Sequence, residues 1–321
     1  MLDTNVLNKQ LQEAIRSKLP KGTNVASVLS DILSIGKEAV YRRLRGDVQF
    51  TLDEAALIAK KMGISLDYII NSPETENLFF EYKSQRYYNL REIDYEMAEE
   101  YLGVLKLAAQ SSYSEQVFTS NVFPQYPMHF SFLLAKYTSF RWAYLNQDMT
   151  SMVPFHEMEF TESFYKLNKA ILDETMNMES TCYIWDNSMF QSVVKEIDYF
   201  RSIRLINSED IDALKNELLW LLDILENIAA KGRFDTGKKI QVYISNISSD
   251  ASYFYLDADT IHLSMIGVFS LNYVVSLETK TLQKVKERIN SLKRVSTLIS
   301  ESGEVQRTQF FKTQRELISS L

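Results

Sequence analysis

The sequence predicts a mainly α fold: a five-helix N-terminal module over residues 1–72, then a larger helical domain over 73–321 carrying a small antiparallel β-sheet, with strands near 239–276. Three observations predict it. Apolar residues recur at i, i+3 and i+4 through most of the chain, the spacing of one buried helix face. Between Lys239 and Ser276 the period changes to two, that of a half-buried strand. The polar, proline-containing segment NSPETEN (71–77) separates short, well-punctuated helices from a long aromatic remainder.

Within the module, Val6, Leu7, Leu11, Ala14, Ile15 and Leu19 give a first helix over 5–19, ended by Pro20 and Gly22. Asn24 caps a second helix with Val25, Val28, Leu29, Ile32 and Leu33 inward. Ser34, Ile35 and Gly36 leave room only for a tight turn before a third helix, Lys37 to Arg45, closed by Gly46. Thr51 with Glu54 forms a capping box for a fourth helix that stops at Gly63, and Ser65 caps a short fifth. The expected core is Leu11, Ile15, Val28, Leu29, Val40, Leu44, Leu52, Ile58 and Ile69.

Beyond residue 77 a long helix is expected from Glu81 to Ala109, with Ile93, Met97, Tyr101 and Leu105 four apart. EQVFTSNVF reads as a strand, PMHFSFLLAKYTSFRWAYL as a buried helix, and 161–176 and 187–204 as further helices. Ser208 starts a strong helix ending at Gly232. KIQVYISNI, SYFYLDAD, TIHLSMI and VFSLNYVVS then read as antiparallel strands, the last two divided at Gly267. Helices at 278–292 and 304–319 close the chain.

Charge divides unevenly. Residues 1–72 hold ten Lys or Arg against eight Asp or Glu, a balance of +2, so the formal net charge of −7 leaves −9 for residues 73–321. A local basic surface still binds phosphate beside an acidic bulk, because charges beyond about 10 Å are largely screened at about 0.1 M salt. One cysteine, Cys182, excludes an intramolecular disulfide framework and any paired-cysteine zinc site. The N-terminus shows no basic segment followed by an apolar run, and Lys136 and Arg141 interrupt the stretch 128–145. A soluble, cytoplasmic protein is expected.

The residues Ala26, Leu33, Ile35, Val40, Arg45, Gly46, Leu52, Ile58, Ala59, Gly63, Ile64, Ser65 and Leu66 carry a resemblance. Their order and spacing across four helices, over roughly residues 5–70, resemble the phage-repressor class of helix-turn-helix DNA-binding domains, the xenobiotic response element family. The resemblance implies double-stranded DNA as partner and the helix 37–45 in the major groove, braced by the helix before it. It implies Lys37, Glu38, Tyr41 and Arg42 at base edges or the groove edge, and Arg43, Arg45, Lys21 and Asn24 at phosphates. Glu38 either accepts from cytosine or pairs with Arg42 one turn on. The family places Gly where Ser34 stands and Ser or Thr where Gly36 stands, so the turn departs from its pattern.

Other motifs fail. HEMEF (156–160) begins like a zinc-protease helix, but Phe160 stands where the second His is required. No phosphate loop or nucleophile elbow occurs, and Cys182 has no Lys, Arg or His near it in sequence to lower its pKa. No catalytic residue, cofactor or metal is assigned, and no enzyme is expected. The expected protein is a dimeric, sequence-specific transcriptional regulator, with room for a small-molecule or protein effector on 73–321. The alternative is a phage-defence or toxin-type effector or protein-interaction domain whose N-terminal reader only autoregulates its operon.

Overall fold

A computed structural model describes residues 4–19, 22–66, 69, 78–83, 95–122, 125–146, 152–269 and 272–321. The chain divides into two compact units, Met1–Phe79 and Phe80–Leu321. The expected boundary segment, 71–77, lies outside the described residues, as does most of the expected fifth helix.

The first unit contains α1 (Thr4–Ser17), α2 (Val25–Leu33), α3 (Lys37–Arg45) and α4 (Leu52–Met62). Their inward residues Leu11, Ile15, Ala26, Leu29, Val40, Ile58 and Ala59 form one buried cluster with Ile64 and Ile69, which follow α4. Three expected core members differ. Val28 and Leu44 are half-buried, and Leu52 is 80% exposed, because it is the first residue of α4 and precedes the turn that packs.

In the second unit the expectation of a helical domain with only a small antiparallel sheet is overturned. Its centre, among the described residues, is an eight-stranded mixed sheet. The strands are β1 (Glu81–Lys83), β2 (Ser114–Ser120), β3 (Ser180–Asp186), β4 (Lys239–Ser245), β5 (Tyr253–Ala258), β6 (Ile261–Phe269), β7 (Asn272–Ser276) and β8 (Ser296–Leu298). Their order across the sheet is β1-β7-β6-β5-β2-β3-β4-β8. β2, β3 and β4 run parallel, and every other neighbouring pair is antiparallel.

The physical reason is coverage. β3 lies inside the sheet and is buried on both faces, so it reads as a near-continuous apolar run, not as an alternation. Only β5, β6 and β7 form the expected antiparallel meander; β4 pairs with β3 and β8 instead of β5. Gly267 does not divide two strands. It lies within β6 at a register irregularity that lets the strand continue to Phe269.

The helices are α5 (Glu96–Ala109), α6 (Phe132–Asn146), α7 (Glu162–Met176), α8 (Met189–Ser202), α9 (Ser208–Lys231), α10 (Thr279–Arg294) and α11 (Glu304–Ser319), with a single turn at Gln125–Met128. The helix expected from Glu81 therefore begins only at Glu96. Residues 81–83 are strand, and Ile93 lies outside the described residues. α7 starts where Thr161 accepts the N–H of Phe164 (3.3 Å). α9 starts at a capping box between Asn207 and Asp210 (2.8 and 3.0 Å).

Alternation along the strands sorts the core into layers. Tyr183, Trp185, Val242 and Ile244 face one side and pack with α6, α8, α9 and α11 through Phe140, Phe190, Leu218, Leu222 and Phe311. Phe254, Leu256 and Ala258 join α5 and α7 through Leu105, Ala108 and Ile171. Val117, Cys182, Ile184 and Tyr255 point to the other side, where α10 covers them with Leu282, Val285 and Ile289. Burial there pushes the Cys182 thiol up to about 12, the opposite of activation. Among the described residues no helix is long and apolar enough to cross a membrane.

Candidate nucleic-acid interface

The turn between α2 and α3 sets the direction of α3. Ser34 ends α2 in the left-handed region (φ 54°, ψ 39°), a conformation that favours glycine. Ser30 secures the turn twice, donating its hydroxyl to the carbonyl of Ile35 (2.6 Å) and accepting the Ile35 N–H on its own carbonyl (3.3 Å). Gly36 then stands in extended conformation at the start of α3 and supplies no side-chain cap. Ser30 and a left-handed Ser34 thus hold the turn without a glycine at 34 or a side-chain cap at 36.

At about 100° per residue, Lys37, Tyr41, Arg45, Glu38 and Arg42 follow one another around an arc of about 140° on α3. All five are exposed. Val40 is buried, and Ala39, Arg43 and Leu44 on the remaining surface are half-buried. Arg43 lies about 170° from the centre of the exposed arc. Its guanidinium donates to Glu54 through Nε (3.0 Å) and Nη2 (2.7 Å), and through Nη1 to the carbonyl of Ala39 (3.1 Å). Gln12 of α1 donates to the Arg43 carbonyl (3.1 Å). Arg43, expected at a phosphate, is instead a bolt between α3 and α4, because its helical position turns it away from solvent.

Glu54 serves two ends. Its Oε2 accepts the Thr51 N–H (2.9 Å) while its own N–H donates to the Thr51 hydroxyl (3.2 Å), completing the cap of α4. Burial pushes its carboxyl up, but the hydrogen bonds from Arg43 and Thr51 outweigh this and hold it below the ordinary range. The cap was legible from Thr51 and Glu54; the partnership with Arg43 required the packing of the two helices.

On the exposed arc, Arg45 donates to Asp47 (3.0 Å), and its guanidinium lies 3.6 Å from Glu38. The Asp47 hydrogen bond raises its pKa further. Glu38 therefore faces Arg45, two turns on, and not Arg42. Lys37 and Arg42 have no ion pair among the described residues. Asn24 caps α2 by accepting the Ser27 N–H (3.2 Å), which leaves its exposed amide N–H groups free of that role. Lys21 lies outside the described residues. The structure thus brings five of the eight expected residues onto one helix face, sets Asn24 at the start of the preceding helix and removes Arg43.

No family model, no curated protein and no solved structure matches this chain.

Proposed function

We propose that the protein is a sequence-specific DNA-binding transcriptional regulator that inserts α3 into the major groove and acts as a homodimer. The observation that carries this reading is the exposed arc of Lys37, Tyr41, Arg45, Glu38 and Arg42 on a short helix whose opposite side is locked to α4 by Arg43 and Glu54. A helix that enters a groove needs that division: one side free, the other held by neighbours. Lys37, Tyr41, Glu38 and Arg42 are proposed for base or groove-edge contact, with Arg45 and Asn24 at phosphates. In this role Arg45 exchanges Asp47 and Glu38 for phosphate oxygens, so part of its gain is offset by the lost pairs. Dimerisation is proposed to come from Phe80–Leu321, since one such reader covers only a half-site.

The test is fluorescence anisotropy of the full-length chain on labelled duplex DNA across a salt series. Lys37, Arg42 and Arg45 on two subunits imply a log–log slope of about −5, at about 0.9 per phosphate neutralised. A flat response between 50 and 200 mM salt, concentrations over which such proteins lose affinity steeply, overturns the proposal.

A further inference from the structure

α10 is a basic helix in an acidic unit. It carries Lys280, Lys284, Lys286, Arg288, Lys293 and Arg294 against one acid, Glu287, a balance of +5. Residues 73–321 carry −9 in all, so the rest of that span carries −14. Two of the six cations serve the fold. Lys286 donates to Asp257 (2.5 Å) and Glu115 (3.4 Å) and lies over the Tyr255 ring, and Lys293 donates to Gln241 (3.1 Å) and lies over Tyr243. These contacts hold α10 to the sheet face that Leu282, Val285 and Ile289 cover.

The other four turn away from the sheet. At about 100° per residue, Arg294, Glu287, Lys280, Lys284 and Arg288 follow one another around an arc of about 120° on the side away from Leu282, Val285 and Ile289. Lys280 is half-buried and the rest of the arc is exposed. Lys284 pairs with Glu287 (3.0 Å) and Arg294 donates to the Ser291 hydroxyl (3.2 Å). Arg288 and Arg294 have no ion pair among the described residues. At 1.5 Å per residue the four cations span about 21 Å. The remaining residues of α10 on and beside the arc are Gln283, Asn290 and Ser291, with no aromatic or aliphatic side chain.

We propose that the outward face of α10 is a second DNA-binding surface, which holds the phosphate backbone of a duplex without reading bases, through Lys280, Lys284, Arg288 and Arg294. Charge and length select a polyanion. Duplex DNA carries one negative charge per about 1.7 Å of axis, so a cationic stripe of about 21 Å meets several phosphates in any register. Such contacts position a protein on the duplex and carry no sequence information. The make-up of the arc disfavours the other partners of a basic helix. Single-stranded nucleic acid is held by aromatic side chains on which bases stack, and the arc has none. A protein partner seats on aromatic or apolar anchors at the centre of an interface, which the arc also lacks. A membrane takes up the apolar face of a basic helix, and here that face is buried against the sheet. The surface belongs wholly to Phe80–Leu321, so it and the proposed role of α3 stand or fall separately.

The experiment is fluorescence anisotropy of the full-length chain on a labelled random-sequence duplex across a salt series. The native chain is compared with a triple variant (Lys284→Gln, Arg288→Gln and Arg294→Gln) and with Arg42→Ala, the last also on a selected site. Loss of three phosphate contacts at about 0.9 each makes the log–log slope of the triple variant shallower by about 2.7 for each protomer in contact. Its affinity for the duplex is expected to fall roughly tenfold or more at about 100 mM salt, and by the same factor when the three changes are made in the Arg42→Ala chain. Arg288→Gln alone, at an exposed residue, should make the slope shallower by about 0.9 and serves if the triple variant does not fold. A triple variant equal to the native chain in affinity and slope, an unchanged slope in Arg288→Gln, or tighter binding of single-stranded DNA or poly-L-glutamate than of the duplex overturns the proposal. An unaffected triple variant beside an Arg42→Ala chain that loses the selected site removes α10 and leaves α3; the reverse pattern removes α3 and leaves α10. No binding of the native chain to any duplex overturns both.

Discussion

Replacing Glu54 by Gln removes the charge that joins α3 to α4 while leaving the backbone N–H that caps against Thr51 in place. The two Arg43–Glu54 hydrogen bonds are 3.0 and 2.7 Å long, and the side chains are only 16% and 18% exposed. Hydrogen bonds to charged groups contribute about 1.5–3 kcal/mol, and breaking a fully buried pair costs about 3–5 kcal/mol. Partial exposure lowers the second figure, so a loss of about 2 kcal/mol is expected. For a unit this small, that is a large share of a net stability of about 4–12 kcal/mol. The assay is hydrogen–deuterium exchange on the intact chain, read in peptides spanning 37–62. Exchange there is expected to speed by about 30-fold, the equivalent of about 2 kcal/mol. The pH dependence carries a further signature. The Glu54 carboxyl is held below its ordinary value, so its contribution is full above the unfolded value of about 4.3 and is lost as pH falls through the native one. The native chain should lose protection in α3 and α4 over that acidic window, and Glu54→Gln should lose the part due to this group. Equal exchange in the two proteins at neutral pH would refute the bolt.

Three further outcomes follow from the same geometry. Ser34→Gly is expected to stabilise the first unit by about 1 kcal/mol, by relieving a left-handed residue at the end of α2, and slower exchange in residues 25–45 would register it. Arg42→Ala is expected to weaken DNA binding and relax preference at one base pair by about 1–3 kcal/mol, whereas Arg43→Ala should lower stability and leave the salt slope unchanged; anisotropy on selected and mutated sites separates them. Gly303→Ala is expected to destabilise the second unit by about 2–4 kcal/mol in urea unfolding, because Gly303 has φ 78° and an added Cβ would lie 2.5 Å from the Leu298 carbonyl oxygen.

The parts of this fold that were legible in the sequence are those encoded over a few residues. Asn24, the Thr51–Glu54 box, Gly46 and Gly63 mark helix ends by local hydrogen bonding and left-handed backbone, so α2, α3 and α4 could be bounded without knowing their neighbours. β5 and β6 keep a period-two pattern that survives pairing. β2 was legible as a strand in EQVFTSNVF, but its partnership with β3 was not: helices cover both faces of the two strands and erase the alternation, and their parallel pairing spans more than sixty residues and leaves no local trace. In the candidate interface, the resemblance placed Arg43 with Arg45 at phosphates. The angular position on α3 separates it from Arg45, and only the approach of Glu54 shows what it does.

The measurement that bears most directly on the proposed DNA reading is binding-site selection from random duplex DNA by the purified full-length chain, repeated with Arg42→Ala. The expected result is enrichment of an inverted repeat whose half-site centres lie about 34–36 Å apart, or a multiple of that spacing, with one base-pair preference relaxed in the variant. Absence of any enriched sequence, or enrichment identical for both proteins, would contradict it.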